Sequence, residues 1–299
     1  TPPNKNRPKI FLGRDEETYG KDGIGMVDYD PDFECGGSAP DRQCPYTLQE
    51  SELIGNDEKG LKGSEGRLLH VGLASYRDPL CPRTLYNMFT KAKNPSKIRV
   101  RVIQQNDPEL DLDCLAEYCA MMEREHEKDE TKTDTFFCPY ADQVYIHQIH
   151  AKEAKGPTWA RGHLSEDFAI AAQQGELSPQ DHCLSMDSHM DFEPHWDESM
   201  VEMWDLADNE YAMLSTYVAD IAQLGVNLNN QHEVPHLCMV TFTSNVRVHA
   251  TKMCRNLPRP KLTNAVYGAG LAFSKCHAEL KVPVDPHTPY VFDGEEFNR

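Results

Sequence analysis

The sequence has few apolar residues and no long apolar run. Hydrophobic residues make up 39% of its 299 residues, and no stretch approaches the roughly 20 apolar residues that a membrane-spanning helix needs. No basic start followed by an apolar segment, typical of a signal peptide, opens the chain. Its first residue is Thr1 rather than Met, so we expect that an upstream signal or membrane anchor was removed. The sequence therefore predicts no membrane contact within these residues.

Positive charge is also scarce. Lysine and arginine total 30 against 48 aspartates and glutamates, which gives a formal net charge of −18. Such a chain is repelled by nucleic acid backbones and by anionic membranes, so we expect no nucleic acid partner. An acidic surface can still hold a divalent cation, and the cation can then recruit a ligand that carries phosphate.

Several short motifs are missing. No Cys-x-x-Cys pair occurs, which argues against a zinc ribbon. No His-Glu-x-x-His or dense ligand cluster occurs, which leaves a metallohydrolase as a minor alternative. The sequence has no usable N-glycosylation sequon, because Asn94 is followed by Pro95. This absence weakly opposes a location in the lumen of the secretory pathway.

The ten cysteines instead favour disulfides and the secretory pathway, in the Golgi lumen or outside the cell. Buried free thiols in a cytoplasmic protein are the alternative.

The chain divides into an irregular start and a periodic remainder. Residues 1–66 are rich in Gly, Asp, Glu and Pro and show no sustained period, so we interpret them as an N-terminal extension in which Cys35 and Cys44 close a small loop. Residues 67–299 are predicted to form the main domain.

Apolar strands and amphipathic helices alternate within the main domain. Helical stripes run from Cys81 to Ala92 and from Leu112 to Met122, a helix follows Gly156, and another starts near Asp197 and is predicted to bury Tyr211. Strands are predicted at 68–75, 98–103, 144–149, 183–187, 237–243 and 265–273. The alternation predicts an α/β fold with a mostly parallel central sheet and helices on both faces.

Asp187 and His189 follow an apolar strand and are the predicted metal ligands. Ligands bind beyond the carboxyl ends of the strands in an open α/β sheet, and residues i and i+2 of an extended segment point to one side. Mixed oxygen and imidazole ligands suit Mn²⁺ or a similar cation better than Ca²⁺. Such a cation would bridge a diphosphate and neutralise a departing leaving group.

Other segments carry candidate phosphate or sugar contacts. Arg77 and Asp78 follow the first strand, where the arginine can pair with a phosphate and the aspartate can accept from a base or ribose. Arg161 lies one turn inside a helix whose N-terminus attracts anions. Glu295 and Glu296 lie near the chain end, where one of them is expected to face the site.

Five stretches carry a resemblance to a known family. In order along residues 67–297, they are ASYRDP at 74–79, AKGP with AR at 154–161, MDSHM with WD at 186–197, GAG with Phe273 at 268–273, and GEEF at 294–297. Together they resemble the polypeptide α-N-acetylglucosaminyltransferases, which attach GlcNAc to protein hydroxyls and include protist hydroxyproline-modifying and mucin-type enzymes. The Asp-Ser-His triplet also resembles the metal motif of mucin-type GalNAc-transferases.

The resemblance implies a glycosyltransferase A-type fold, a UDP-GlcNAc donor, Mn²⁺ or Mg²⁺, an acceptor protein and retention at the anomeric carbon. By the resemblance, Asp187 and His189 are the metal ligands. Glu295 or Glu296 lies near the reacting sugar, and these two glutamates are the implied catalytic residues. The remaining implied donor-site contacts are Ser75, Arg77 and Asp78 for the nucleotide, Arg161 for the diphosphate or donor sugar, and Gly268 to Gly270 for the sugar or acceptor.

One departure from the family pattern concerns the C-terminus. The family continues past the Gly-Glu-Glu motif with an aromatic-rich segment that carries a further histidine, a third metal ligand by resemblance. The sequence stops at Arg299, so we expect a truncated C-terminus or an incomplete metal site. We therefore keep a second hypothesis, a catalytically inactive structural or sugar-binding module within a larger glycoprotein assembly.

Overall fold

The structure is a computed structural model of the chain. It describes residues 67–127, 137–219, 259–262 and 267–292, together with the strand backbones at 9–11, 26–28, 233–243 and 246–255. The chain divides into two compact units, Thr1–Asn56 and Asp57–Arg299. The predicted boundary at residue 66, and the loop between Cys35 and Cys44, lie outside the described residues and stay predictions.

The first unit contains a small antiparallel sheet. It pairs β1 (Lys9–Phe11) with β2 (Met26–Asp28), with Ile10 opposite Val27. Periodicity alone does not reveal strands of three residues, because so short a segment shows no alternation to measure.

A six-stranded sheet forms the centre of the second unit. Its strands are β3 (Leu69–Tyr76), β4 (Ile98–Asn106), β5 (Val144–His150), β6 (His182–Asp187), β7 (Leu214–Ser215) and β10 (Leu271–Lys275). Their order in the sheet is β5-β4-β3-β6-β10-β7. The four strands from β5 to β6 are parallel to one another, and β10 and β7 continue the sheet in antiparallel pairing. The predicted α/β class with a mostly parallel sheet is confirmed.

Helices cover both faces of this sheet, because its inner strands are apolar on both sides. The helices are α1 (Cys81–Lys91), α2 (Cys114–Glu127), α3 (Pro157–Gln173), α4 (Trp196–Asp205) and α5 (Cys276–Lys281). One face of the sheet packs Val71, Leu73 and Leu184 against α1, α2 and α4. The other face packs Ile103 and Cys183 against α3 and α5.

Two details of the sequence interpretation were wrong. Within the strand predicted at 265–273, Gly268 and Gly270 lie in a turn, and of the described residues from 267 onward the strand comprises Leu271–Lys275. Tyr211 lies beyond the end of α4 and is 58% exposed.

The strand predicted at 237–243 is confirmed. It is part of β8 (Glu233–Thr243), which pairs with β9 (Val246–Arg255) in a separate two-stranded sheet.

Disulfides tie the elements together. Among the residues that the structure describes, Cys81 pairs with Cys114, Cys119 with Cys138, and Cys183 with Cys276. These pairs indicate an oxidising environment, which is that of a secreted or lumenal protein. No helix within the described part of the chain is both long and apolar enough to cross a membrane.

Candidate functional site

The strand order reverses next to β3, and this defines one crevice of the sheet. From β3 the chain moves outward to β4 and β5, then returns to place β6 on the other side of β3. The carboxyl ends of β3 and β6 lie side by side, with Ala74 in register with Asp187. A crevice outside such neighbouring strand ends is where open α/β sheets bind ligands.

Asp78 connects the two strand ends. Its Oδ2 accepts hydrogen bonds from Ser188 Oγ at 2.6 Å and from His189 Nδ1 at 2.8 Å. Its Oδ1 accepts from the backbone N–H of Leu80 at 2.9 Å. The three donors hold the carboxylate in the turn that follows β3, directly against the residues that follow β6.

The ionisation of Asp78 follows from these contacts. Burial raises the pKa of its carboxyl, but the hydrogen bonds from Ser188, Leu80 and His189 outweigh burial and lower the pKa below its ordinary value. The side chain is 13% exposed, whereas that of His189 is 57% exposed. Asp78 is therefore a covered, charged acceptor, and His189 is the exposed member of the pair.

Asp187 is held on the other side of the crevice. Its Oδ1 accepts a hydrogen bond from Arg161 Nη2 at 2.8 Å, and its backbone N–H donates to Gly270 O at 3.2 Å. A Cβ added to Gly270 would lie 2.7 Å from Asp187 Oδ2, which is too close for any side chain. The missing side chain of Gly270 thus makes room for the carboxylate.

Asp187 and His189 consequently have different partners. Asp187 pairs with Arg161, and His189 pairs with Asp78. Ser188 between them is buried, at 3% exposure, and the chain bends at Ser188 and His189 directly after the strand. Both predicted metal ligands lie at the crevice and stay solvent-accessible, at 39% exposure for Asp187 and 57% for His189.

The predicted nucleotide contacts differ in accessibility. Arg77 has a backbone φ of 49°, unusual for a residue other than glycine. Its 43% exposed side chain forms an ion pair with Asp111 at 2.9 Å. Ser75 is only 1% exposed and its hydroxyl has no hydrogen-bond partner among the described residues. Because Ser75 is covered, its predicted contact with a nucleotide stays a prediction.

Sequence reasoning missed Thr84, which supports the site from α1. This fully buried residue donates its hydroxyl to Ser188 O at 2.7 Å and accepts from the Met190 N–H at 2.9 Å. Lys91 Nζ, at the end of the same helix, donates to Asp191 at 2.6 Å. A threonine on the apolar face of a predicted helix was the available signal, since a buried hydroxyl needs a partner.

The C-terminal segment reaches the start of α3. The Tyr290 N–H donates to Lys155 O, and Thr158 Oγ1 donates to Val291 O at 2.9 Å. Glu295 and Glu296 follow this segment but lie outside the described residues, so their role stays a prediction. Gly268, one of the predicted lining glycines, lies in the turn beside Gly270, where Ser215 Oγ accepts its N–H at 2.7 Å.

No group of three or more His, Cys, Asp or Glu side chains within residues 67–127, 137–219 and 267–292 is placed to hold a metal ion. The ligand chemistry of Asp187 and His189 nonetheless fits a cation that is completed by substrate. Mg²⁺ and similar ions commonly use one or two protein ligands together with phosphate oxygens and water.

Comparison with known proteins identifies the family. A family model described as Glycosyltransferase (GlcNAc) matches residues 69–298, which include both strand ends and every side chain of the crevice. No curated protein matches the chain. Because the family model spans most of the second unit and more than half of the chain, the protein belongs to the GlcNAc glycosyltransferase family.

Proposed function

We propose that the protein transfers N-acetylglucosamine from UDP-GlcNAc to a Ser, Thr or hydroxyproline hydroxyl of an acceptor protein, with retention at the anomeric carbon. The observation that supports it best is the arrangement at the strand ends. There the motif residues Asp78, Arg161, Asp187 and His189 lie around one crevice at the reversal of strand order. That position suits a nucleotide-sugar donor.

In this proposal Asp187 and His189 hold Mn²⁺ or Mg²⁺ together with the donor diphosphate. A bound cation neutralises the charge that develops on the UDP leaving group. Arg161 keeps the Asp187 carboxylate oriented through their 2.8 Å hydrogen bond. Its guanidinium also carries a positive charge toward the diphosphate.

Arg77 and Tyr76 are the proposed contacts of the nucleotide. The Arg77 guanidinium forms an exposed pair with Asp111, and a phosphate can replace that carboxylate because both fit the same fork of donors. Tyr76 is 58% exposed at the end of β3 and offers an aromatic surface for the uracil ring. Gly268 and Gly270 leave space for the donor sugar or acceptor, and Glu295 or Glu296 is proposed to approach the reacting sugar.

The disulfides favour the Golgi lumen or the extracellular space as the place of action. The Golgi is where an acceptor glycoprotein and a UDP-sugar would meet a transferase of this kind. The acceptor is therefore proposed to be a secretory-pathway protein.

The proposal is tested by incubating the full chain with UDP-GlcNAc and Mn²⁺, with and without Ser, Thr and hydroxyproline peptides. We expect UDP release that depends on the metal and is abolished in D187N. UDP-Glc and UDP-GalNAc serve as competing donors. If no donor is hydrolysed and UDP binding does not depend on the metal, the proposal is wrong. A partner bound in stoichiometric amounts without turnover would then favour the inactive module.

A further inference from the structure

We propose that Asp78 is a positioning residue that fixes the tautomer of His189, so that Nε2 is the nitrogen available to a metal ion. This inference rests on the proposed function, because it assigns a task at the same site. It replaces the expected nucleotide contact of Asp78 with a role that is exerted through the neighbouring imidazole.

The first step is the direction of the hydrogen bond. Both oxygens of Asp78 accept other hydrogen bonds, Oδ1 from the Leu80 N–H and Oδ2 from Ser188 Oγ, so in the 2.8 Å contact His189 Nδ1 is the donor and carries the proton. A neutral imidazole carries one ring proton. The proton on Nδ1 therefore leaves the lone pair on Nε2, and a metal ion binds a ring nitrogen through its lone pair.

The second step is the rigidity of the acceptor. Asp78 Oδ1 is bonded to the Leu80 N–H and Oδ2 to Ser188 Oγ, so the carboxylate has two anchors apart from His189. It is 13% exposed while the histidine is 57% exposed. A covered and anchored carboxylate orients an exposed ring, which is the arrangement that metal-binding histidines commonly show.

The third step separates Asp78 from the other carboxylates of the crevice. Asp187 is bonded to Arg161, and Asp111 is bonded to Arg77. Each of these carboxylates already compensates an arginine. Asp78 is the carboxylate whose hydrogen bond reaches the predicted histidine ligand.

The experiment measures the tautomer and the metal affinity separately in the full chain. ¹⁵N NMR of the imidazoles, without metal and with the rings neutral, reports which ring nitrogen carries the proton. Titration with Mn²⁺ alone, followed by electron paramagnetic resonance, gives the dissociation constant. The variants are D78A, S188A, which keeps the Asp78–His189 bond, and D111A, a neighbouring carboxylate without contact to His189.

We expect protonation at Nδ1 in the wild type, S188A and D111A. We expect a shift toward protonation at Nε2 in D78A, with Mn²⁺ binding weakened about 10- to 100-fold. A wild-type His189 protonated at Nε2, or a D78A variant that binds Mn²⁺ as tightly as wild type, would overturn the inference. If the wild type binds no Mn²⁺, the proposed metal-dependent function and the metal-positioning role fail together. The NMR result then decides only whether Asp78 sets the tautomer.

Discussion

At the scale of single residues, the crevice is arranged by contacts between distant parts of the chain. Asp187 lies between the Arg161 guanidinium and the bare backbone of Gly270. His189 lies against Asp78, which is 111 residues away in sequence. Small changes at these positions should alter the chemistry of the site with little effect on the core, because the side chains are partly exposed.

Gly270 provides the sharpest test of the position of Asp187. In G270A the new methyl group would lie 2.7 Å from Asp187 Oδ2 and must displace the carboxylate. A shift of about 1 Å can cost roughly 100-fold in rate, so we expect Mn²⁺-dependent UDP-GlcNAc turnover to fall by about that factor. Steady-state kinetics and Mn²⁺ titration measure the effect.

G268A is the matched control for this change. A Cβ at Gly268 would lie 3.6 Å from its nearest neighbours, which is ordinary van der Waals contact. We expect its turnover to fall much less than that of G270A, because the added methyl group would not meet Asp187. Equal losses in both variants would show that the turn, and not the Asp187 carboxylate, is responsible.

A second residue-scale prediction concerns acid stability and His182. This residue is 3% exposed, and burial lowers the pKa of its ring from 6.5 to about 4. The positive charges of Arg67 and Lys275 lower the pKa further, whereas the negative charges of Asp181 and Glu210 raise it. The unfolded chain therefore takes up the proton first. Stability present above pH 6.5 is lost as the pH falls toward 4, by about 3 kcal/mol from this group.

H182F is the variant that isolates this contribution, since the ring of His182 stacks on Phe273 at an interplanar angle of 3° and phenylalanine keeps an aromatic ring there. Urea unfolding is measured for both proteins at about pH 7 and about pH 4. We expect the loss of unfolding free energy between these values to be smaller in H182F by about 3 kcal/mol. An equal loss in the two proteins would show that other groups carry the acid sensitivity.

At the scale of elements, α3 connects the sheet to the C-terminal segment. A Cβ at Gly72 of β3 would lie 2.3 Å from Leu164 of α3, and a Cβ at Gly162 of α3 would lie 2.4 Å from the backbone of Pro286. The helix therefore packs closely on both sides through glycine. This packing brings Arg161 to Asp187 and positions the chain that leads to the Gly-Glu-Glu motif.

Because of this close packing, we expect G162A to lower the free energy of unfolding rather than raise it. Alanine in a helix interior ordinarily stabilises by about 1 kcal/mol relative to glycine. Here the added methyl would collide with a neighbouring backbone, so we expect a loss of about 1–3 kcal/mol instead. Urea unfolding measures it. An unchanged or raised stability would show that the C-terminal segment does not pack on α3.

The sequence predicts these elements well where each carries its own signal. The helical stripe that starts at Cys81 and the apolar strands before Tyr76 and Asp187 match the structure within a few residues. The signal failed at Tyr211, because an apolar residue after a helix can equally belong to an exposed turn. It also failed at 268–270, where the spacing of apolar residues predicted a strand although Gly268 and Gly270 lie in a turn.

The pairing inside the candidate site was beyond the reach of sequence patterns. The motifs place Asp78 after one strand and His189 after another, but their hydrogen bond exists because β6 lies next to β3. Strand order depends on how the whole sheet packs. Local spacing predicts that Asp187 and His189 hold one metal ion, but it does not reveal that each of them also bonds to a different part of the chain.

At the scale of the whole molecule, disulfides connect segments that are far apart in sequence. Cys183–Cys276 joins β6 to α5 across 93 residues, while Cys119–Cys138 closes only 19 residues next to α2. The first bridge thus fastens the strand that carries Asp187 to the C-terminal part of the fold. The second fastens one helix to its own neighbouring loop.

This difference predicts an order of stability losses. Cross-linking lowers the entropy of the unfolded chain more for a longer loop, by about 4.6 kcal/mol for the larger loop and about 3.2 kcal/mol for the smaller. We expect C183A/C276A to lose about 1.4 kcal/mol more unfolding free energy than C119A/C138A. Both double variants replace a pair of cysteines with alanine, so each serves as the control for the other. Urea unfolding under non-reducing conditions measures the difference. Equal losses, or a larger loss for the 19-residue loop, would mean that local packing and not chain entropy sets the contribution of these bridges.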